Sequence, residues 1–141
     1  FDTIVGHFPN EEWLYLTGVE FELFLATLLV KRGFTVETTK VSGDQGVDLV
    51  ATKNHFRIAI QAKGYPSSTV GNKAVQEVFT GMIFYKCDAA VVITNSTFTK
   101  SAKELADQVG CILIEKTQIY DLMSGRLNLE NWAKQSQQSV K

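Results

Sequence analysis

The sequence predicts a mixed α/β domain, with one sheet covered by helices on both faces. Two observations lead there. Hydrophobic spacing is helical up to Gly33, alternates with the two-residue period of strands over residues 34–63, and then turns helical again. Between the later helical stretches lies a continuous apolar run, residues 89–94, of the kind that fills a strand buried on both faces. The predicted order is α-β-β-β-α-β-α-β-α, a hairpin-containing sheet followed by crossover helices.

Each element has its own signal. Residues 1–16 are irregular, with Pro9 followed by polar Asn10, Glu11 and Glu12. Thr17-Gly18-Val19-Glu20 has the spacing of a capping box, with Thr17 as cap and Glu20 reaching back to it. The helix it opens runs to about Arg32 and stops at Gly33. Residues 34–39 alternate as a strand, and 47–53 and 56–63 form two more around a short turn at Asn54-His55. A second helix over 72–85 places Val75, Val78, Phe79 and Met82 on one stripe. After strand 89–94, Ala102, Leu105, Ala106 and Val109 mark a third helix. Residues 111–114 form a last strand and 118–123 a short closing helix. Residues 126–141 read as a polar tail, frayed from Lys134 onward.

The chain has 141 residues, 45% of them hydrophobic and 21% charged, which fits one globular domain with a single core region over 17–125. No apolar run approaches a membrane span, so the expectation is a cytoplasmic domain without membrane contact. Phe1 rather than Met opens the sequence, which leads us to expect a longer parent with an additional recognition or anchoring domain. Residues 1–22 hold five acids and no Lys or Arg; the remainder carries 14 basic and 10 acidic residues. That mild excess suits a solvated surface as well as a phosphate-binding face. Cys87 and Cys111 match neither a disulfide framework nor a zinc spacing and are expected to be buried thiols. Isolated His7 and His55 do not have the look of metal ligands.

The chemistry concentrates in two apolar segments that carry polar intrusions. Gln61 and Lys63 project from one face of their strand and Ala62 from the other. Antiparallel pairing across the short turn brings Asp48, near the start of the preceding strand, close to both. An acid, an amide and an ammonium then converge at one edge of the sheet, either as a buried Asp–Lys ion pair or as a functional site. Glu22 lies in line with the core-facing Leu25, Ala26, Leu29 and Val30 of the first helix. A carboxylate there is either an ordinary first-turn acid favoured by the helix dipole, or faces the same cation as Asp48.

Gly18-x-x-Phe21-Glu22, Gly43-Asp44-x-Gly46-Val47-Asp48-Leu49 and Gln61-Ala62-Lys63 resemble the catalytic domain of Mrr-like (type IV) restriction endonucleases, of the PD-(D/E)xK nuclease superfamily. The resemblance continues through Val70-Gly71-x-Lys73-Ala74-Val75-Gln76-Glu77 and Val92-Ile93-Thr94-Asn95-Ser96-x-Phe98-Thr99-x-x-Ala102, and covers residues 17–123. It implies a restriction-endonuclease-like fold and metal-dependent hydrolysis of DNA phosphodiesters, with modified DNA a candidate substrate and 5′-phosphate products. Asp48, Gln61, Lys63 and Glu22 are the implied catalytic residues. Asp48, the Gln61 amide oxygen, the Ala62 carbonyl and Glu22 are the implied ligands of Mg²⁺, with Mn²⁺ able to substitute. Lys63 positions the attacking water or neutralises developing charge. Val47 stands where the superfamily name has Pro, and Gln61 where most members have an acid. The amide should lower metal affinity unless another carboxylate, Glu22, compensates.

The expected partners are DNA and, for a restriction-type enzyme, a second copy of the chain in a homodimer. Lys73 and Gln76, off the apolar stripe of the second helix, and Lys100 are candidate DNA contacts. Asn95 and Ser96, between a strand end and a helix start, offer backbone N–H groups to an anion, or else the segment is a simple cap using Thr99 or Ser101. Ser42-Gly43-Asp44-Gln45-Gly46 reads as a tight turn; Asp44-x-x-x-Asp48 lacks the other positions of a calcium loop. The alternatives are a Holliday-junction-resolvase-like nuclease and a non-catalytic DNA-binding module that retains the fold.

Overall fold

The strand pleat divides the apolar side chains between two cores, and the helices follow that division. The structure, a computed structural model, describes residues 9–39 and 46–139; most of the turn expected at 42–46 lies outside them. Strands β1 (Thr35–Thr38), β2 (Leu49–Lys53), β3 (Phe56–Lys63), β4 (Ala89–Thr94) and β5 (Ile112–Ile114) form one sheet in the order β1-β2-β3-β4-β5. The first three pair antiparallel, whereas β3–β4 and β4–β5 are parallel. The helices are α1 (Gly18–Lys31), α2 (Asn72–Phe84), α3 (Lys100–Val109), α4 (Lys116–Ser124) and α5 (Leu129–Ser139). Leu49, Ala51, Ile58, Ile60, Val91 and Ile93 pack with residues of α1, α4 and α5, while Val50, Ala59, Ala90 and Val92 pack with those of α2 and α3. Each parallel pairing is bridged by a crossover helix, α2 or α3, as parallel strands require. Asn54 and His55 turn the β2–β3 hairpin with φ of 52° and 67°, the double left-handed conformation of a tight hairpin turn.

The predicted order holds from α1 through α4, and three local readings need correction. The segment before α1 is not wholly irregular: Pro9–Tyr15 is a 3-10 helix that sends Trp13 into the core, stacked on Phe24 at 5.8 Å between ring centroids. The capping box does not form. Thr17 is the N-cap residue but makes no side-chain cap bond, and Gly18 has φ +51°, outside the helical region that the motif needs at its first position. The polar tail is in fact α5. Its Leu129 and Ala133 are buried, and Glu130 is held by Asn54 at 3.2 Å and Lys134 at 3.0 Å, so the apolar positions four apart outweigh the polar composition.

Two glycines and one asparagine set how closely helices approach the end of the β2–β3 hairpin. A Cβ on Gly64, just after β3, would lie 2.8 Å from the Leu16 carbonyl oxygen and 2.9 Å from Phe21 Cβ, so glycine lets the start of α1 dock there. A Cβ on Gly46, which has φ +65°, would collide with the Glu77 carbonyl on α2. Asn95, buried at the end of β4, donates from Nδ2 to the carbonyls of Trp13 (3.0 Å) and Leu16 (2.9 Å) and accepts from the Tyr65 N–H (3.0 Å). It ties the α1 entry, the β3 exit and β4 into one unit.

Asn95→Ala would strand three polar groups. At about 1–3 kcal/mol for each buried group left unpaired, and with water able to reach some of them, the loss should be on the order of 3 kcal/mol. Urea denaturation should show it as a lower midpoint with little change in slope. Stability equal to the parent would mean that these bonds are replaced by water at no cost.

Candidate active site

At the open end of the hairpin, a side chain takes over where the main-chain ladder stops. Leu49 pairs with Ile60, and the Asp48 N–H still donates to the Ile60 carbonyl at 2.8 Å. The next donor, the Ala62 N–H, is received by Asp48 Oδ2 at 2.8 Å. This places the acid beside Gln61-Ala62-Lys63 as the hairpin reading anticipates. Thr94 fixes the same strand end from the other side by donating its hydroxyl to the Lys63 carbonyl at 2.7 Å.

The carboxylates are held under electrostatic load. Burial pushes the Asp48 carboxyl above its ordinary range; the Ala62 hydrogen bond and the Lys63 charge pull it down, and the Glu77 charge adds to the rise. Burial also raises Glu22, and the second cause is the charge of Asp48. Two like charges, one on α1 and one just before β2, thus bear on each other at this end of the sheet.

Gln61 carries the most informative atom. Its side chain is buried, Nε2 donates to Glu77 Oε1 at 3.1 Å, and Oε1 is buried with no hydrogen-bond partner. Such an orphan acceptor is rare and calls for a partner. Lys63 forms no ion pair with Asp48; it pairs with Glu77 Oε1 at 4.0 Å and lies over the Tyr65 ring at 5.5 Å. The buried Asp–Lys pair thus gives way to a Lys63–Glu77 pair. Among the described residues no three His, Cys, Asp or Glu side chains converge on one point. The candidate ligands are two carboxylates, an orphaned amide oxygen and the carbonyl of Ala62. An all-oxygen set of this kind suits a hard divalent cation.

Glu77 is the residue that sequence reasoning missed. The buried face of α2 is Ala74, Val75, Val78 and Gly81, with Phe79 and Met82 only partly covered. Counting the small residues Ala74 and Gly81 turns the helix so that Glu77 flanks its packed face, next to the strand bearing Gln61. The candidate DNA contacts divide. Lys73 pairs with Glu77 Oε2 at 4.0 Å and, with Lys63, Tyr65, Val70, Gly71 and Ala74, lines an open groove of about 250 Å³ beside the site. Gln76 is exposed and donates to Asn72, and Lys100 is exposed and pairs with Glu104; neither has a contact with the site. Asn95 is buried with both side-chain amide atoms engaged, so its side chain is not free to contact DNA. Ser96 spends its N–H on Thr94 Oγ1, and the α3 N-terminus is capped by Thr99, whose hydroxyl receives the Ala102 N–H at 3.1 Å. The Thr99 cap named in the alternative reading of this segment is thus present. Cys111 is buried, which pushes its thiol up to about 12, while Cys87 is only half-buried.

A family model of the Mrr catalytic domain, described as a restriction endonuclease, matches residues 14–123. The type IV methyl-directed restriction enzyme EcoKMrr of Escherichia coli (strain K12) is 26% identical over 122 residues, spanning 80% of this chain and 40% of that enzyme. The chain thus spans well under half of the length of this relative. Among solved structures, the protein of unknown function AF1548 superposes with a TM-score of 0.61 at 22% identity, over 72% of this chain and 62% of its own. The DNA modification-dependent restriction endonuclease AspBHI superposes with a TM-score of 0.59 at 19% identity, over 99% of this chain and 39% of its own. These two likenesses concern the fold.

The electrostatics make a test possible without DNA. Glu22 binds its proton more tightly folded than unfolded, so its contribution to stability is present below the ordinary value of 4.5 and is lost as pH rises through the raised folded value. In EDTA, Glu22→Gln should therefore melt above the parent at pH 7, with the margin vanishing once the pH falls below 4.5. Glu20→Gln, on an exposed residue with no cap bond to lose, should melt with the parent at both pH values. Calorimetry that finds Glu22→Gln unchanged or less stable at pH 7 would remove Glu22 from the charged cluster.

Proposed function

We propose that this chain, which belongs to the restriction endonuclease family, hydrolyses DNA phosphodiester bonds at the Asp48–Gln61–Lys63 end of the β2–β3 hairpin with a divalent cation, Mg²⁺ or Mn²⁺, as cofactor. The observation that carries this reading is the orphaned, buried Gln61 Oε1, on the strand end that also bears Lys63 and receives the desolvated Asp48 at Ala62. Asp48, Gln61, Glu22 and the Ala62 carbonyl would hold the cation. When bound, it supplies Lewis-acid stabilisation of the phosphoryl and leaving oxygens.

The remaining work falls to the chain. Asp48 is oriented by the Ala62 N–H, so it presents its other oxygen without freedom to rotate away. Lys63 is tethered by Glu77 and Tyr65 on the face that it shares with Gln61, where its ammonium can hold the attacking water or meet charge on a phosphate oxygen. Lys73 lines the adjoining groove and can contact the phosphate backbone. That groove is open and small, which suits an extended polymer better than an enclosed small molecule. Methyl-directed recognition is a property of the relative EcoKMrr; for this chain we propose modified DNA as the substrate class, read by a further domain. Cutting both antiparallel strands calls for two such sites related by two-fold symmetry, hence a homodimer.

The test is cleavage of unmodified, methylated and four-way-junction DNA with Mg²⁺ or Mn²⁺, against an EDTA control. Cleavage should require the cation. Lys63→Ala should lower the rate by about 100-fold or more, as loss of a charge-stabilising donor does, while the fold and most DNA affinity stay intact. A folded Lys63→Ala protein with full activity would sink the site. Cleavage confined to junctions would favour the resolvase reading, and DNA binding without cleavage the non-catalytic one.

A further inference from the structure

We propose that Glu77 is a positioning residue of this site, acting on the cation through the Gln61 amide; the inference rests on the cation reading above. A carboxylate can only accept hydrogen bonds, so its 3.1 Å contact with Gln61 fixes the amide with Nε2 toward Glu77 and Oε1 on the other side, where it is left unpartnered. This is the arrangement that a ligand needs and that an unrestrained amide, free to flip, would not keep. Accepting from Nε2–H also shifts electron density along the amide onto Oε1, since hydrogen bonds in a low-dielectric interior polarise one another. The carboxylate thereby lends charge to an oxygen that has none of its own. It plays the part that carboxylates play behind metal-bound histidines.

Three features show that the placement is built rather than incidental. The Glu77 backbone is clamped against the strand entry by Gly46, where any side chain would collide with it. The same Oε1 that holds Gln61 also pairs with Lys63 at 4.0 Å, so one carboxylate orients two site residues on the same face of β3. The other oxygen, Oε2, lies 4.0 Å from the exposed Lys73 one turn back, a weak contact that leaves Oε1 to Gln61 and Lys63.

The test is Mn²⁺ binding by the full chain, followed by titration calorimetry and by the electron paramagnetic resonance of free Mn²⁺, with circular dichroism as the check of fold. Glu77→Gln keeps size and hydrogen-bonding capacity but removes the charge; it should weaken Mn²⁺ binding by about 10–100-fold, the usual cost of losing a ligand's orienting partner. Glu77→Ala should do the same. The exchange Gln61→Glu with Glu77→Gln moves the acid onto the cation and leaves an amide behind it, and should restore binding to the parent level or above. A folded Glu77→Gln protein with parental Mn²⁺ affinity would overturn the proposal. So would an exchanged protein that folds but fails to recover, because a purely structural Glu77 would give that result. Asp48→Asn separates this failure from that of the site itself: if it too leaves Mn²⁺ binding unchanged, or the parent binds no Mn²⁺, the cation reading falls and Glu77 with it.

Discussion

The 2.8 Å hydrogen bond from the Ala62 N–H to Asp48 Oδ2 is the constraint on which the rest of the site depends. A sheet ladder normally joins backbone to backbone, and at this point a carboxylate stands in for a carbonyl. The exchange fixes the acid without a salt bridge and sets it one residue from Gln61 and one from Lys63. It also explains why so polar a group persists between Val47 and Leu49, both buried. An unpaired carboxylate there would be costly, whereas one that completes a ladder is partly compensated.

The fold then brings two helices to this point by leaving out side chains. Gly64 admits the start of α1 with Glu22, and Gly46 admits α2 with Glu77. Asn95 holds the first of these approaches with three hydrogen bonds. The result concentrates unfavourable terms in one place: two desolvated carboxylates of like charge and an acceptor with no donor. Nothing in packing requires them, and an apolar hairpin end would be more stable. Local strain of this kind marks functional sites, where the surrounding structure overdetermines an arrangement that would not hold alone.

Much of this was legible because strands have an unforgiving period. Once residues 56–63 are a strand joined by a two-residue turn to its neighbour, Gln61 and Lys63 must share a face and Asp48 must lie near them. Glu22 was expected to line up with Leu25, Ala26, Leu29 and Val30; of these Leu25 and Leu29 are buried and Val30 is exposed, so Glu22 flanks the packed face of α1. Glu77 was not, because a stripe traced through Phe79 and Met82 misses the face that Ala74 and Gly81 bury. Small residues mark a close helix–sheet approach but contribute little to a hydrophobic pattern. The structural part of Asn95 was not legible either: its place after a strand suits an anion site, and only the fold reveals that its side-chain amide is taken up by Trp13, Leu16 and Tyr65. The capping box failed on backbone conformation, which Thr17 and Glu20 cannot report while Gly18 takes a positive φ.

The amide at position 61 has a physical rationale on the proposed reading. Glu22, Asp48 and Glu77 against Lys63 and Lys73 sum to a formal charge of −1 over the proposed site and its adjoining groove. A divalent cation turns that to +1, so the site would repel a phosphate when empty and attract it when loaded, making DNA engagement follow cation binding. An acid at position 61 in addition to Glu77 would hold the cation with more charge but bring the loaded site only to neutrality. It would also set two carboxylates side by side where Gln61 Nε2 and Glu77 Oε1 now meet at 3.1 Å, and one of the two would have to keep its proton. Moving the acid one step back, onto α2, avoids both costs. The charge then reaches the cation through a hydrogen bond while the surface facing the phosphate stays positive. On this reading the amide at position 61 and the acid on the helix behind it act as one device, Glu77 supplying the charge that Gln61 lacks.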